Sequence, residues 1–130
     1  MSEFPKSVSE HHKNVRRLPC IVCDQWPATL HHCHSGSVSD RLASLGLDPM
    51  KTRRGIGGSE ALVIPLGARY HVGQDGIDYG VGALTWELRF GKQADMLDEV
   101  GEALGYSLWE LHKLWLQGTK TNCRNSSSIG

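Results

Sequence analysis

"LHHCHSG", residues 30–36, places three histidines and a cysteine in four consecutive positions. The segment before it, "PCIVCDQWPATL" at 19–30, runs from a tight cysteine turn through Trp26 and Pro27 into an extended stretch, 28–34. Successive side chains of a strand point to opposite faces. The reading therefore puts His31 and Cys33 on one face and His32 and His34 on the other. A second apolar run, "ALVIPL" at 61–66, contains a β-branched pair and reads as another strand. Pro65 has no N–H to give a ladder, which limits this strand to an edge or to its own end. "ARYH", 68–71, follows and leads into a helix. Strand, strand and helix would together bring His31, His32 and His71 to one place.

Such a cluster suits a divalent ion. Neutral imidazoles and a carboxylate are ligands for zinc, magnesium or manganese, and an ion held by few protein groups keeps positions open for a phosphate oxygen. If His31 takes the metal, His32 points the other way and is available to act. An imidazole with a pKa of about 6.5 accepts a proton from water at neutral pH, the task of a general base in phosphodiester hydrolysis. His11, His12 and His112 lie outside the cluster and read as surface or satisfied core residues.

The rest of the chain is read outward from this centre. At 130 residues and 39% hydrophobic, it holds one domain with one core. Residues 1–17 are polar without a hydrophobic period and read as a mobile basic arm or a frayed helix, with Lys13, Arg16 and Arg17 near its end. Residues 18–118 form the folded domain, and 119–130, with "NSSSIG", a disordered tail that makes Cys123 incidental. Residues 35–60 are rich in Ser and Gly and read as a long functional loop, in which Lys51, Arg53 and Arg54 would either contact DNA phosphates near the metal or form only a solvated face.

Helices follow. "TWELRFG", 85–91, ends in a C-terminal glycine, and Leu97, Val100 and Leu104 repeat at three and four residues up to Gly105. Ser107 with Glu110 is a capping-box signature opening a last helix with Leu108, Leu111 and Trp115 on one face. The helices are expected to pack as a lid on the strands, giving an α+β domain.

The formal net charge is zero, so no global field draws the chain to nucleic acid or membrane. Residues 1–60 are slightly basic and 61–130 slightly acidic, so any nucleic-acid binding rests on local patches. No run approaches the roughly 20 apolar residues of a membrane span, and residues 1–17 hold no signal-peptide core. The expected location is the cytoplasm, where cysteines stay reduced and serve as metal ligands or ordinary thiols.

"PCIVC", "HHCHSGS", "VIPLGARYH" and "GID…TWELRFGKQ" together resemble the HNH, or His-Me finger, nucleases. Within them the likeness is to the phage-borne branch of the recombination enhancement function (Ref) protein and the DUF968 prophage proteins, and it runs from about residue 18 to 116. The resemblance implies a ββα-metal core with a long Gly/Ser-rich loop and appended C-terminal helices. It implies a DNA endonuclease, phage or prophage encoded in a bacterial host, working in DNA recombination or processing, with DNA and a recombination protein or filament as partners.

Carried over by position, His31 and His71 are ligands of a catalytic divalent ion (magnesium, manganese or zinc) and His32 is the base. Asp78, at the end of "HVGQDGID", is the last ligand. Its rival Asp75 stands four residues after His71, on the same face if a helix has begun. Glu60 stands where DUF968-like members tend to carry Asp, and would orient a histidine or be an exposed loop acid.

Two departures accompany the resemblance. The second half of a structural zinc site should fall at Gly67 and Tyr70, neither of which binds zinc, so a closed site on Cys20 and Cys23 would need substitutes such as Cys33 or His34. The central Asn of the HNH name has no counterpart near Leu62. Two rival readings follow: a catalytically degenerate HNH fold that binds DNA or protein, and a small zinc-binding adaptor whose cysteines matter more than His32.

Overall fold

The computed structural model describes residues 4–33, 36–49, 59–78 and 80–116. Their architecture is mixed α+β: six helices around a small antiparallel sheet. The sheet pairs β1, Thr29–His32, with β2, Val63–Leu66, in the register Thr29↔Leu66, Leu30↔Pro65, His31↔Ile64 and His32↔Val63. Both strands are shorter than their apolar runs suggest, because 59–61 fold into a 3₁₀ turn and pairing stops at His32. Every residue of β2 is buried, as expected of an unbroken apolar run covered on both faces.

Helix α1, Val8–Arg16, occupies the segment read as a mobile arm or a frayed helix. It is instead docked: Val15 and His11 are fully buried, and α1 packs against both strands. Its start is capped by Ser7, whose hydroxyl accepts the Glu10 N–H at 3.1 Å. The second correction concerns 35–60, which is not all loop. Helix α2, Ser37–Ser44, buries Val38 and Leu42, four residues apart, against α5. Its start needs Gly36, which has φ +61 and whose added Cβ would lie 2.5 Å from Glu87 Oε1.

The short α3, Ala68–His71, packs on both strands, followed by α4, Ala83–Phe90, and α5, Gln93–Leu104. Gly91 and Gly105 end α4 and α5 with positive φ. Helix α6 covers 108–116 and opens with the Glu110 N–H on Ser107 Oγ at 3.2 Å. The core gathers Leu42, Leu62, Ile64, Leu66, Trp86, Leu97, Leu108 and Leu111. Arg41 of α2 grips Asp98 of α5 through two bonds of 2.9 and 3.0 Å, and Trp109 of α6 donates to the same carboxylate at 2.8 Å. No helix among the described residues is long and apolar enough to cross a membrane. The basic trio Lys51, Arg53 and Arg54, together with His34, Cys123 and the tail, lies outside the described residues.

Candidate functional site

His31 comes from β1, His71 from the last residue of α3, and Asp78 from the turn after it. Their ligand atoms all lie within 4.8 Å of one another. Asp78 Oδ2 is 2.9 Å from His71 Nε2, and Asp78 Oδ1 is 3.7 Å from His31 Nδ1. The turn holds Asp78 there by its own amide, which donates to the His71 carbonyl at 3.1 Å. Asp75, the rival, faces elsewhere and pairs with Arg69 Nε at 2.7 Å. Helical spacing does not apply to it, because α3 ends at His71.

The second nitrogen of each imidazole is held by the protein. Thr29 Oγ1 donates to the Leu66 carbonyl at 2.7 Å, so it accepts the Nδ1–H of His71 at 2.8 Å and leaves Nε2 toward Asp78. His31 Nε2 lies 3.0 Å from Gln93 Oε1. The amide's orientation is set from behind, since Gln93 Nε2 donates to Glu87 Oε2 at 3.3 Å and the oxygen therefore faces the histidine. His31 donates from Nε2 and turns Nδ1 toward Asp78. Partners of this kind fix tautomer and ring orientation in metal sites.

Charge agrees with that use. Burial, followed by the neighbouring His31, lowers the pKa of His71, which is neutral at neutral pH. Contact with His31, the largest influence, holds the Asp78 carboxyl below its ordinary value against the opposing effect of burial. A neutral imidazole and an ionised carboxylate are the ligand forms a divalent cation requires.

His32 joins a different trio. Its Nε2 lies 2.6 Å from Glu60 Oε1, and the same oxygen lies 3.5 Å from Nε2 of His12. His12 also reaches the Glu60 carbonyl at 3.1 Å. The sequence reading missed His12, and nothing in the local pattern reveals it, because only the docking of α1 brings it to β1. Both trios line one cavity of ≈ 370 Å³, where Arg16 and Leu30 join them. Arg16 is the one residue of the basic N-terminal segment 13–17 that lines it.

Among the described residues, the groups of three or more metal-ligating side chains are these two trios, and neither contains a cysteine. Cys20, Cys23 and Cys33 are free thiols. Burial pushes the Cys20 thiol up, but the N–H groups of Gly67, Cys23 and Val22 aimed at its sulfur outweigh burial and lower its pKa. Cys33 is fully buried, and burial first, then the charges of Glu87 and Asp78, raise it well above the ordinary thiol value. A closed zinc site on Cys20 and Cys23, which would need substitutes such as Cys33 or His34, gains no ligand from Cys33, whose sulfur is directed at the His31 carbonyl at 3.8 Å. The chain matches no protein-family model, no curated protein and no solved structure.

Proposed function

We propose that this chain is a metal-dependent DNA endonuclease with a ββα-metal core of the HNH type. The observation that carries the reading is the convergence of His31, His71 and Asp78 on one point of a cavity that also holds His32. The donor set, two imidazoles and a carboxylate with the outward nitrogens already engaged, fits a divalent cation. Such an ion would supply Lewis-acid stabilisation of the negative charge that builds on the phosphate.

The chain's own groups do the rest. Nε2–H of His32 donates to Glu60, so the lone pair of this imidazole is on Nδ1. His32 Nδ1 takes a proton from water, the water oxygen bonds to phosphorus, and the bond from phosphorus to the 3′ oxygen breaks. The departing oxygen is protonated from solvent. Glu60 stabilises the imidazolium so formed and fills the orienting role that the absent Asn would have had. Arg16 would meet a phosphate at the rim, with Lys51, Arg53 and Arg54 adding contacts that carry no sequence information. The resemblance adds a phage or prophage setting and a recombination or processing role, with a recombination protein as partner.

The test is incubation with supercoiled plasmid in magnesium, manganese or zinc. Wild type nicks the DNA, His32→Ala is slower by roughly 10²–10⁴-fold, and His71→Ala loses both nicking and metal. A wild type that binds DNA without cutting in any of the metals would favour the degenerate module. Unfolding on chelation would favour the zinc adaptor.

A further inference from the structure

We propose a second divalent-cation site, formed by His12, His32 and Glu60, in which an ion would occupy the imidazole that the hydrolytic reading uses as its base. Nε2 of His12, Nε2 of His32 and a Glu60 carboxylate oxygen all lie within 4.8 Å of one another. The two rings meet edge to face at 5.7 Å. Zinc takes imidazole nitrogen and carboxylate oxygen at about 2.0–2.2 Å, which places neighbouring ligands of a tetrahedral site roughly 3.3–3.5 Å apart. The separation of His12 from Glu60 Oε1, 3.5 Å, already has that value, and His12 Nε2 gives up its proton and its 3.1 Å bond to the Glu60 carbonyl when the ion enters. The 2.6 Å contact of His32 with Glu60 needs to open by roughly 0.7–0.9 Å.

The trio is mounted on fixed parts of the fold. His12 follows His11, which is locked in the core by Tyr106 and by the Ala61 carbonyl. Glu60 belongs to the same 3₁₀ turn as Ala61. The side chains of His12 and His32 are 15% and 13% exposed, enough to shield the site yet admit an ion from the cavity they line. Two imidazoles and one carboxylate favour zinc, cobalt(II) or nickel(II), and the positions they leave go to water.

Occupation has a defined consequence for His32. An ion on Nε2 displaces the proton now shared with Glu60. The neutral ring then carries its proton on Nδ1 and has no lone pair for water. This consequence rests on the hydrolytic reading, whereas the binding does not. An ion in the second site and a proton-accepting His32 exclude each other.

The probe is cobalt(II), titrated into the full chain by calorimetry and visible absorption. Wild type binds two equivalents. His12→Ala and Glu60→Gln each bind one, and His71→Ala loses the other. Far-UV melting curves verify that each variant is folded, and nitrogen NMR of the histidine rings with zinc shows His32 metallated at Nε2. A wild type that takes up a single equivalent, or a His12→Ala variant that still takes up two, overturns the proposal. Two equivalents in the wild type with no nicking by the His12→Ala variant, whose His32 no second ion can block, would refute the hydrolase and leave the site standing, and nicking with one equivalent would do the reverse.

Discussion

Gln93 accepts the Nε2–H of His31 at 3.0 Å, and this single bond fixes which nitrogen of a buried imidazole faces Asp78. The amide is itself held by Glu87, which receives the Gln93 backbone N–H at 2.8 Å and the Ser37 hydroxyl at 2.6 Å. A chain of bonds thus runs from the start of α2 through α4 and α5 to the proposed ligand. Gln93→Leu keeps the volume and removes the acceptor. Manganese binding, followed by calorimetry, is expected to weaken about 10–100-fold. An unchanged affinity would show that β1 alone orients His31.

Asp78 and Asp75 offer a paired test of which carboxylate serves the ion. Asp78→Asn removes the charge 2.9 Å from His71 Nε2 and should abolish saturable manganese binding. Asp75→Asn breaks only the exposed ion pairs with Arg69 and Arg89, each worth well under about 1 kcal/mol. It should leave both metal affinity and melting temperature close to the parent. The reverse pattern would reassign the ligand.

What could be read in the chain, and what could not, follows from where each signal lies. Strand alternation brought out His31 and His32, and of the apolar period Leu97, Val100 and Leu104 the first two survive in the buried stripe of α5, with Leu104 half-buried at its end. The docking of helix α1, read only as a mobile arm or a frayed helix, escaped that reading because a histidine serves as one of its core positions. His11 and Val15, four residues apart, are its buried pair, but His11 counts as polar in any hydrophobic period, and the Ser7–Glu10 capping signature was the readable sign. In 35–60, the small residues around Val38 and Leu42 concealed a pair that buries. His12 and Gln93 carry no local signal at all, since each acquires its role from a contact made across the fold.

His11 makes the stability of the domain depend on pH. Its Nε2–H donates to the Ala61 carbonyl at 3.0 Å, so Nδ1 must accept the Tyr106 hydroxyl proton at 2.8 Å, which requires the neutral ring. Burial, the dominant cause, lowers its pKa from 6.5 to about 4. Between these values the unfolded chain binds a proton that the folded chain does not. Stability is therefore full above the unfolded value and declines as pH falls through the window, by a total on the order of 3 kcal/mol. Urea midpoints across that window should show the decline, and His11→Phe should flatten it while lowering the plateau. An equally steep decline in the variant would assign the effect to other groups.

The cysteine turn supports a constructive test. Cys20 and Cys23 sit in a turn closed by the Asp24 N–H on the Cys20 carbonyl at 2.8 Å and tied to β2 by the Ile21 N–H on the Pro65 carbonyl at 2.9 Å. Gly67 follows β2 with φ −62, so a side chain is tolerated there, and a Cβ would lie 3.7 Å from Cys20 Sγ in ordinary contact. Tyr70 is three residues on, in α3. Gly67→Cys combined with Tyr70→Cys would give two Cys-x-x-Cys pairs around one point, the ligand pattern of a closed zinc site. The metal-free variant should be less stable than the parent, because Tyr70 loses its edge contact with Phe90 at 5.2 Å. Zinc at 100-fold over its dissociation constant for the new site should then stabilise it by about 2.7 kcal/mol, read as a rise in melting temperature larger than the one the parent's own metal sites give under the same zinc. A variant that zinc raises no further than the parent would mean that the turn and α3 are too far apart to close a tetrahedral site, and that Cys20 is held by backbone amides for packing alone.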